Sequence, residues 1–294
     1  MNVELERRNK LFFPDAGLTK GDLADYYQRI APLMLAHLKD RPVTLHRFPD
    51  GIDGIHFIQK SVEDHYPDWL ARVTVAKEDG EMIQPLVDSA DALVYLVGQG
   101  AIAFHVTPSR YDKPGHPDRL IFDLDPADDA EDFSPVIAAA RAVRDALEAV
   151  DLTSFVMTTG SSGLHVTVPL DRSTEFETVR DFAAAIAERV ASAHPDEFTT
   201  AHAKNRRQGR LYLDIRRNAV NQTAIAPYSV RPKPGAPIAT PLEWDELSDL
   251  DIGPQRFHLG NIFRRLAQRD CPWAKIARHG QSAQRAFERM NAAD

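Results

Sequence analysis

Residues 119–125 read RLIFDLD, an apolar run ending in two aspartates two positions apart. Successive side chains of a strand point to opposite faces, so Asp123 and Asp125 share one face where the run stops. Neighbouring carboxylates repel unless a cation sits between them, so the pair is expected to hold Mg²⁺ or Mn²⁺ at the end of a sheet strand. For Asp125, which precedes Pro126, the start of a turn is the alternative. A second apolar run, LYLDI, carries Asp214. Three strand-borne acids admit a two-metal site for phosphoryl or nucleotidyl transfer, in which the ions activate the attacking oxygen and stabilise the leaving one. Taken alone, Asp214 reads equally well as the partner of Arg216 or Arg217.

Charge is distributed unevenly. Across 294 residues, Lys and Arg contribute 35 and Asp and Glu 43, a net charge of −8. Such an average argues against coating nucleic acid through bulk positive charge. Yet Asp123, Asp125, Asp128, Asp129, Glu131 and Asp132 run without a base among them, whereas Lys204, Arg206, Arg207, Arg210, Arg216 and Arg217 surround only Asp214. An acidic knot beside a basic arm points to a metal site facing a polyanion, with solvated loops of opposite sign as the alternative. The 43% hydrophobic content is that of a globular protein. No apolar run approaches the roughly 18–20 residues that span a bilayer. MNVELERRNK lacks the apolar segment of a secretory signal. The single cysteine, Cys271, excludes an intramolecular disulfide and a cysteine-cluster zinc site. A cytoplasmic protein without a membrane partner is expected.

Patterning along the chain predicts a mixed α/β domain with one central sheet and N-terminal elements packed on it. Thr19 opens a helical pattern with an acid three residues on, split or kinked at Pro32. VTLHRF and IHFIQ read as strands joined by the turn PDGIDG, and ARVTVAKEDGEMIQPLV as a hairpin turning at Asp79–Gly80. Ser89 begins a short helix. Ser134 is the expected N-cap, with Pro135 at the first helical position, of a helix that follows RLIFDLD. TSFVMTT and LHVTVPL are strands, a long helix covers roughly 175–192, and RLYLDI and TAIAPY are further short strands. Trp69, Trp244 and Trp273 are expected to pack. One catalytic domain over 1–294 is expected, with subregions 1–100, 101–240 and 241–294.

Other chemistry-bearing residues are less specific alone. The turn TTGSSGLH places Thr159, Ser161 and Ser162 between two strands, where glycines allow backbone N–H groups near a phosphate and hydroxyls add donors. His165 opens the strand after it. His105, in AIAFHV, has a core histidine as its alternative. The arm AKNRRQGR can pair with triphosphate or DNA phosphates, with a solvated loop as the alternative. LIFDLDP also resembles the nucleophile strand of haloacid-dehalogenase phosphatases. However, Pro126–Ala127 replaces the expected Gly and Thr/Val, and the motif lies mid-chain.

Together, NKLFFPDAGLTKGDLADYY, HPDRLIFDLDP, GSSGLHV, LYLD, QTAIAPYSVR and TPLEWDEL resemble the polymerase domain of bacterial ATP-dependent DNA ligase D and its stand-alone relatives, of the archaeo-eukaryotic primase superfamily. The resemblance covers nearly the whole chain. It implies a mostly antiparallel central sheet flanked by helices, and a template-dependent polymerase that extends primers and fills gaps at DNA ends. It further implies a preference for ribonucleotides, two Mn²⁺ or Mg²⁺ ions and a role in non-homologous end joining. The implied partners are gapped duplex with a 5′-phosphate, nucleoside triphosphates, a fused or separate DNA ligase and a Ku-type end-binding protein.

Residue by residue, the family's metal acids fall on Asp123, Asp125 and Asp214, and its nucleotide-contacting histidines on His105 and His165. Lys204, Arg207 and Arg231 would hold the triphosphate along with the turn, with Asn218 and Gln222 nearby. The 5′-phosphate lysines map to Lys10 and Lys20, and a stacking aromatic maps to Phe57. Three positions depart from the pattern. Ser162 replaces a turn lysine, Ile58 replaces the paired aromatic, and HVTPSR lacks a tryptophan after the first histidine. The first change is expected to weaken triphosphate binding and the second base stacking or end-bridging, with the chemistry retained. A DNA-end binding module without activity is the alternative function.

Overall fold

The strand expected at RLIFDLD is present and lies third in a six-stranded sheet. The computed structural model describes residues 3–77, 79–126 and 132–293, so Asp128, Asp129 and Glu131 of the acidic run lie outside the described residues. In chain order the elements are β1 (Leu11–Phe13), β2 (Leu18–Thr19), α1 (Lys20–Leu38), β3 (Val43–Arg47), β4 (Phe57–Gln59), β5 (Arg72–Lys77), β6 (Gly80–Pro85), α2 (Ala90–Gly98) and β7 (Ala101–Val106). There follow β8 (Arg119–Asp125), α3 (Ser134–Glu148), β9 (Phe155–Thr158), β10 (Leu164–Pro169), α4 (Phe176–Ala193), β11 (Phe198–Thr199), α5 (Lys204–Arg207) and β12 (Leu211–Asp214). The last are β13 (Ala224–Ile225), β14 (Thr240–Leu242), α6 (Ile262–Leu266) and α7 (Ala283–Ala293).

The expected mixed α/β class holds. Its strands fall into a six-stranded sheet, order β11-β12-β8-β10-β9-β14, a four-stranded sheet, order β13-β7-β3-β4, and the two-stranded pairs β1-β2 and β5-β6, rather than gathering into one. Two compact units result. One takes the chain up to Asp112, then Thr223–Thr240 and Phe257–Asp270; the other takes Lys113–Gln222, Pro241–Arg256 and the chain from Cys271. These units do not follow the segments divided at 100 and 240. β7 pairs with β3, so 101–112 joins the N-terminal elements, and 223–240 joins them through β13 on β7.

In the first unit, α1 opens with the expected capping box: the Thr19 N–H donates to Asp22 Oδ2 at 2.8 Å, and the Asp22 N–H donates to Thr19 Oγ1 at 3.2 Å. The helix is not divided at Pro32. Pro32 and Gln28, whose carbonyl loses its helical donor, are both exposed, so water can satisfy that carbonyl. Buried tyrosines tie α1 to the unit's loops and sheet: Tyr26 donates to the Tyr228 carbonyl and Tyr27 to that of Ile102, each at 2.7 Å. β3 and β4 pair as expected, and β5 and β6 form the hairpin expected around 79–80.

The second unit is built on the six-stranded sheet. Leu120, Phe122 and Leu124 of β8 have no exposed surface, and α3 and α4 pack against this strand. α3 buries Val136, Ala139, Ala140, Val143 and Leu147 at helical spacing. Each large aliphatic side chain so buried contributes about 1.5–3 kcal/mol relative to exposure. α3 begins one residue early, at Ser134, because the Asp132 carboxylate accepts the Ser134 N–H at 2.9 Å and Phe133 takes the cap position. Trp273 is buried and donates to the Val156 carbonyl at 3.1 Å, and Trp244 donates to that of Ser154 at 3.0 Å. Trp69 remains partly exposed against the edge of Tyr95.

Candidate active site

The acids meet through strand register. β8 is flanked by β10 and β12, both antiparallel to it, and the pairing sets His165, Asp123 and Asp214 side by side on three adjacent strands. Directly opposed residues of an antiparallel pair have Cβ atoms about 4.5–5.5 Å apart. Asp125 lies two residues along on the same face, opposite Tyr212.

Both oxygens of Asp123 are engaged. His165 Nε2 lies 3.2 Å from Oδ1, and Arg217 Nε donates to Oδ2 at 3.1 Å. Burial opposes ionisation of Asp123, but His165 and then Arg217 outweigh it and hold the carboxyl below its usual range. Asp125 feels His165 and Arg217 as well, but they are outweighed. Burial first, then the charges of Asp123 and Asp214, push it up to about 6. Asp214 Oδ1 accepts the Arg216 backbone N–H at 2.8 Å and the Tyr212 hydroxyl at 3.2 Å. Asp214 thus takes Arg216 through its backbone, while Arg217 goes to Asp123.

The turn before His165 is a tight β9–β10 connection fixed by two glycines. Gly160 has φ +67, a left-handed conformation that glycine adopts freely. A Cβ on Gly163 would sit 2.1 Å from the Leu124 carbonyl oxygen, so only glycine lets the turn lie against the acid strand. Thr159 builds the turn. Its hydroxyl contacts the Gly163 carbonyl at 3.1 Å and accepts N–H groups of Ser161 and Gly163 at 3.3 and 3.2 Å. Ser161 and Ser162 are half-buried, and the Ser161 carbonyl accepts from Gln255 at 2.9 Å.

The basic arm divides by role. Arg207 is buried over the Tyr212 ring, 4.1 Å to its centroid, and donates to the carbonyls of Ala201 and His202 at 3.3 and 3.0 Å. Lys204 and Gln222 are exposed. Asn218 is fully buried. Its amide nitrogen donates to the Ile121 and Ile215 carbonyls at 2.7 and 2.8 Å, and its oxygen accepts the Ile121 N–H at 2.8 Å. Asn218 therefore laces β8 to the turn after β12 rather than facing a ligand.

The remaining nominated residues belong to the first unit. His105 is half-buried on β7, in register with Thr44 and Ile225. Arg231 is half-buried, and its backbone N–H donates to Pro237 at 2.8 Å. Lys10 Nζ donates to the Pro49 carbonyl at 2.7 Å and pairs with Asp50. Lys20 is buried and donates to the Glu6 carbonyl at 3.2 Å. Burial lowers its pKa, Glu6 opposes that, and Lys10 and Arg7 add to it. Phe57 stands on the edge strand β4, 41% exposed, with the Arg47 guanidinium 5.0 Å from its ring centre, and Ile58 beside it is 56% exposed.

The chain as a whole is similar to known proteins in sequence and in fold. The family model described as LigD, primase-polymerase domain matches residues 19–273. The chain belongs to the LigD primase-polymerase domain family. It is 36% identical over 255 residues to the multifunctional non-homologous end joining DNA repair protein LigD of Mycobacterium tuberculosis, covering 84% of this chain and 34% of that protein. It is 32% identical over 290 residues to the Pseudomonas aeruginosa LigD, covering 98% of this chain and again 34% of the relative. The chain thus spans about a third of the length of these relatives. Among solved structures, the polymerase domain of M. tuberculosis ligase D in complex with DNA matches with a TM-score of 0.89 and 33% identity, covering 95% of this chain and 99% of that one.

Membership in the LigD primase-polymerase family implies a nucleotidyltransferase-type enzyme that works with divalent metal. The donor set fits such an ion. Asp123, Asp125 and Asp214 offer hard carboxylate oxygens, and the mutual repulsion raising Asp125 is what a dication relieves. As they stand, no group of three His, Cys, Asp or Glu among the described residues forms a ready metal cage. No helix among the described residues is long and apolar enough to cross a membrane. Sequence reading did not assign Arg217 or Tyr212 to the site. The two-residue alternation of LYLD carries the signal for Tyr212 beside Asp214, but the choice of Asp123 by Arg217 is set only by the pairing of β12 with β8.

Proposed function

We propose that this chain is a template-dependent nucleotidyltransferase that extends primers and fills gaps at DNA ends during non-homologous end joining, with ribonucleotides preferred. The observation that carries the reading is the alignment of His165, Asp123 and Asp214 across three strands, with Asp125 one step along. The names of the relatives, and the DNA-bound state of the similar polymerase domain, support the repair setting. Gapped duplex with a downstream 5′-phosphate, nucleoside triphosphates, a DNA ligase and a Ku-type end-binding protein are the proposed partners.

Two Mn²⁺ or Mg²⁺ ions on Asp123, Asp125 and Asp214 would supply the Lewis acidity that activates a primer 3′-hydroxyl and neutralises the departing pyrophosphate. The protein's part is positional. His165 fixes the Asp123 carboxylate from the β10 side, while Tyr212 and the Arg216 N–H fix that of Asp214. The glycine turn brings backbone against the acid strand, where a triphosphate can approach closely. Lys204, exposed on the arm, is available for its phosphates. Lys10 and Lys20 serve the 5′-phosphate, and Phe57 offers a face on which a base can stack.

Primer extension on a gapped duplex with a downstream 5′-phosphate tests this, with rNTPs and dNTPs compared in Mn²⁺ and Mg²⁺. Templated addition favouring rNTPs, and absent in Asp123→Ala/Asp125→Ala protein, is expected. No addition under either metal, with 5′-phosphate-dependent binding retained, would make the chain an end-binding module.

A further inference from the structure

Asp123 is the most buried acid of the cluster, with two cationic or potentially cationic partners that differ in one respect. The His165 side chain is 4% exposed, enclosed with the carboxylate it touches. The Arg217 side chain is 40% exposed, although its Nε lies 3.1 Å from Oδ2. One partner is locked in the sheet, and the other can leave without opening the core. Arg217 also feels all three carboxylates, Asp123 most strongly, then Asp214 and Asp125. The turn beside the acids, Thr159 to Gly163, carries no cation of its own.

We propose that Arg217 is an exchangeable positioning residue: it holds the Asp123 oxygen that a divalent ion takes, and on release serves as the cation for the phosphate chain of a nucleoside triphosphate. The inference rests on reading the acids as the metal site. Its physical basis is competition. A guanidinium and a dication on one carboxylate oxygen are like charges a few ångströms apart, in a setting where Coulomb terms are far less screened than in water. Entry of the ion at Oδ2 therefore expels the guanidinium. The released group stays tethered at the rim of the acid cluster by the backbone that follows Asp214, which the Asp214–Arg216 and Asn218–Ile215 bonds hold in place. A planar guanidinium pairs well with phosphate oxygens there.

The exchange predicts opposed effects from one substitution. Arg217→Gln should bind Mn²⁺ alone on the order of tenfold more tightly than the unaltered protein, because the competitor is gone. With Mn²⁺ saturating, it should bind ATP on the order of tenfold more weakly, because a charge-assisted phosphate contact is lost. A purely structural role would weaken both. Free Mn²⁺ followed by electron paramagnetic resonance gives the first affinity, and calorimetry with ATP gives the second. A direct readout needs no stable variant: the Arg217 Nε–H resonance of the unaltered protein, protected by Asp123, should shift to the position of a solvated arginine as Mg²⁺ is added. Unchanged or weaker Mn²⁺ binding by folded Arg217→Gln protein, or a resonance that stays in place while Mg²⁺ saturates, overturns the exchange. Tighter Mn²⁺ binding with unchanged ATP affinity overturns its phosphate half. Mn²⁺ binding that survives Asp123→Ala undiminished would show instead that the metal reading of the acids fails, and the exchange with it.

Discussion

The acid cluster on β8, β10 and β12 and the lysine pair Lys10 and Lys20 are both assemblies of charge, but they are held by different means. The acids sit in the interior of a six-stranded sheet, where backbone pairing fixes His165, Asp123 and Asp214 in one row and the flanking strands leave little freedom. The lysines sit where a short strand meets a helix start. Lys10 is tied to the 49–50 turn and Lys20 to the Glu6 carbonyl. Register places the first group to within the tolerance of a ladder, as charge stabilisation in a transition state demands. The second group depends on side-chain reach, which is enough for gripping a phosphate. On the proposed reading, chemistry belongs to the first region and end recognition to the second.

The largest test of that division removes an acid. Asp123→Ala or Asp214→Ala should lower nucleotide addition at least about 10²-fold, the cost of losing a transition-state charge stabiliser, while duplex affinity in a gel-shift assay stays within about twofold. Next in size, Lys10→Ala/Lys20→Ala should reduce the preference for a 5′-phosphorylated gap about tenfold and flatten the salt dependence of binding by about one unit of slope per lost phosphate contact. A loss of binding that ignores the 5′-phosphate would break the comparison at that end. Asn218→Ala separates fold from site within the second unit. Leaving the Ile121 N–H and carbonyl unpaired should cost about 1–3 kcal/mol in denaturant melts, because buried partners lose their hydrogen bonds.

The smallest effect comes from the electrostatics of Asp125. Its pKa is raised in the fold by burial and by Asp123 and Asp214, so the folded state holds a proton that the unfolded chain releases near 3.8. Between about 4 and 6 that group's contribution to stability falls as pH rises, and above 6 it is lost. Asp125→Asn should therefore melt about 2–4 °C higher than the unaltered protein at pH 7.5 in EDTA, with the gap closing below pH 4. A gap that widens on acidification would contradict the crowding of the acids.

Much of this was legible in the sequence because period-2 patterning is local. RLIFDLD and LYLDI announce buried strands, and i, i+2 alternation places Asp123 and Asp125 on one face without knowing the neighbours. The capping residues of α1 and the Asp79–Gly80 hairpin are local signals of the same kind. What escaped depends on partners distant in sequence. That β7 pairs with β3 and β13, leaving two larger sheets instead of one, follows from long-range pairing with no local mark. Asn218 looks like a ligand residue until its amide is seen to lace Ile121, 97 residues away. Pro32 looks like a break until Gln28 proves to face water.

The most direct test measures binding and chemistry on the same substrate. Equilibrium affinity and single-turnover nucleotide addition would be recorded on one 5′-phosphorylated gapped duplex for the unaltered protein, for Asp123→Ala/Asp125→Ala, and for Lys10→Ala/Lys20→Ala. The account predicts an acid variant that binds normally and adds nothing, and a lysine variant that binds weakly yet adds at a near-normal rate once saturated. Parallel loss of both properties in both variants would contradict it.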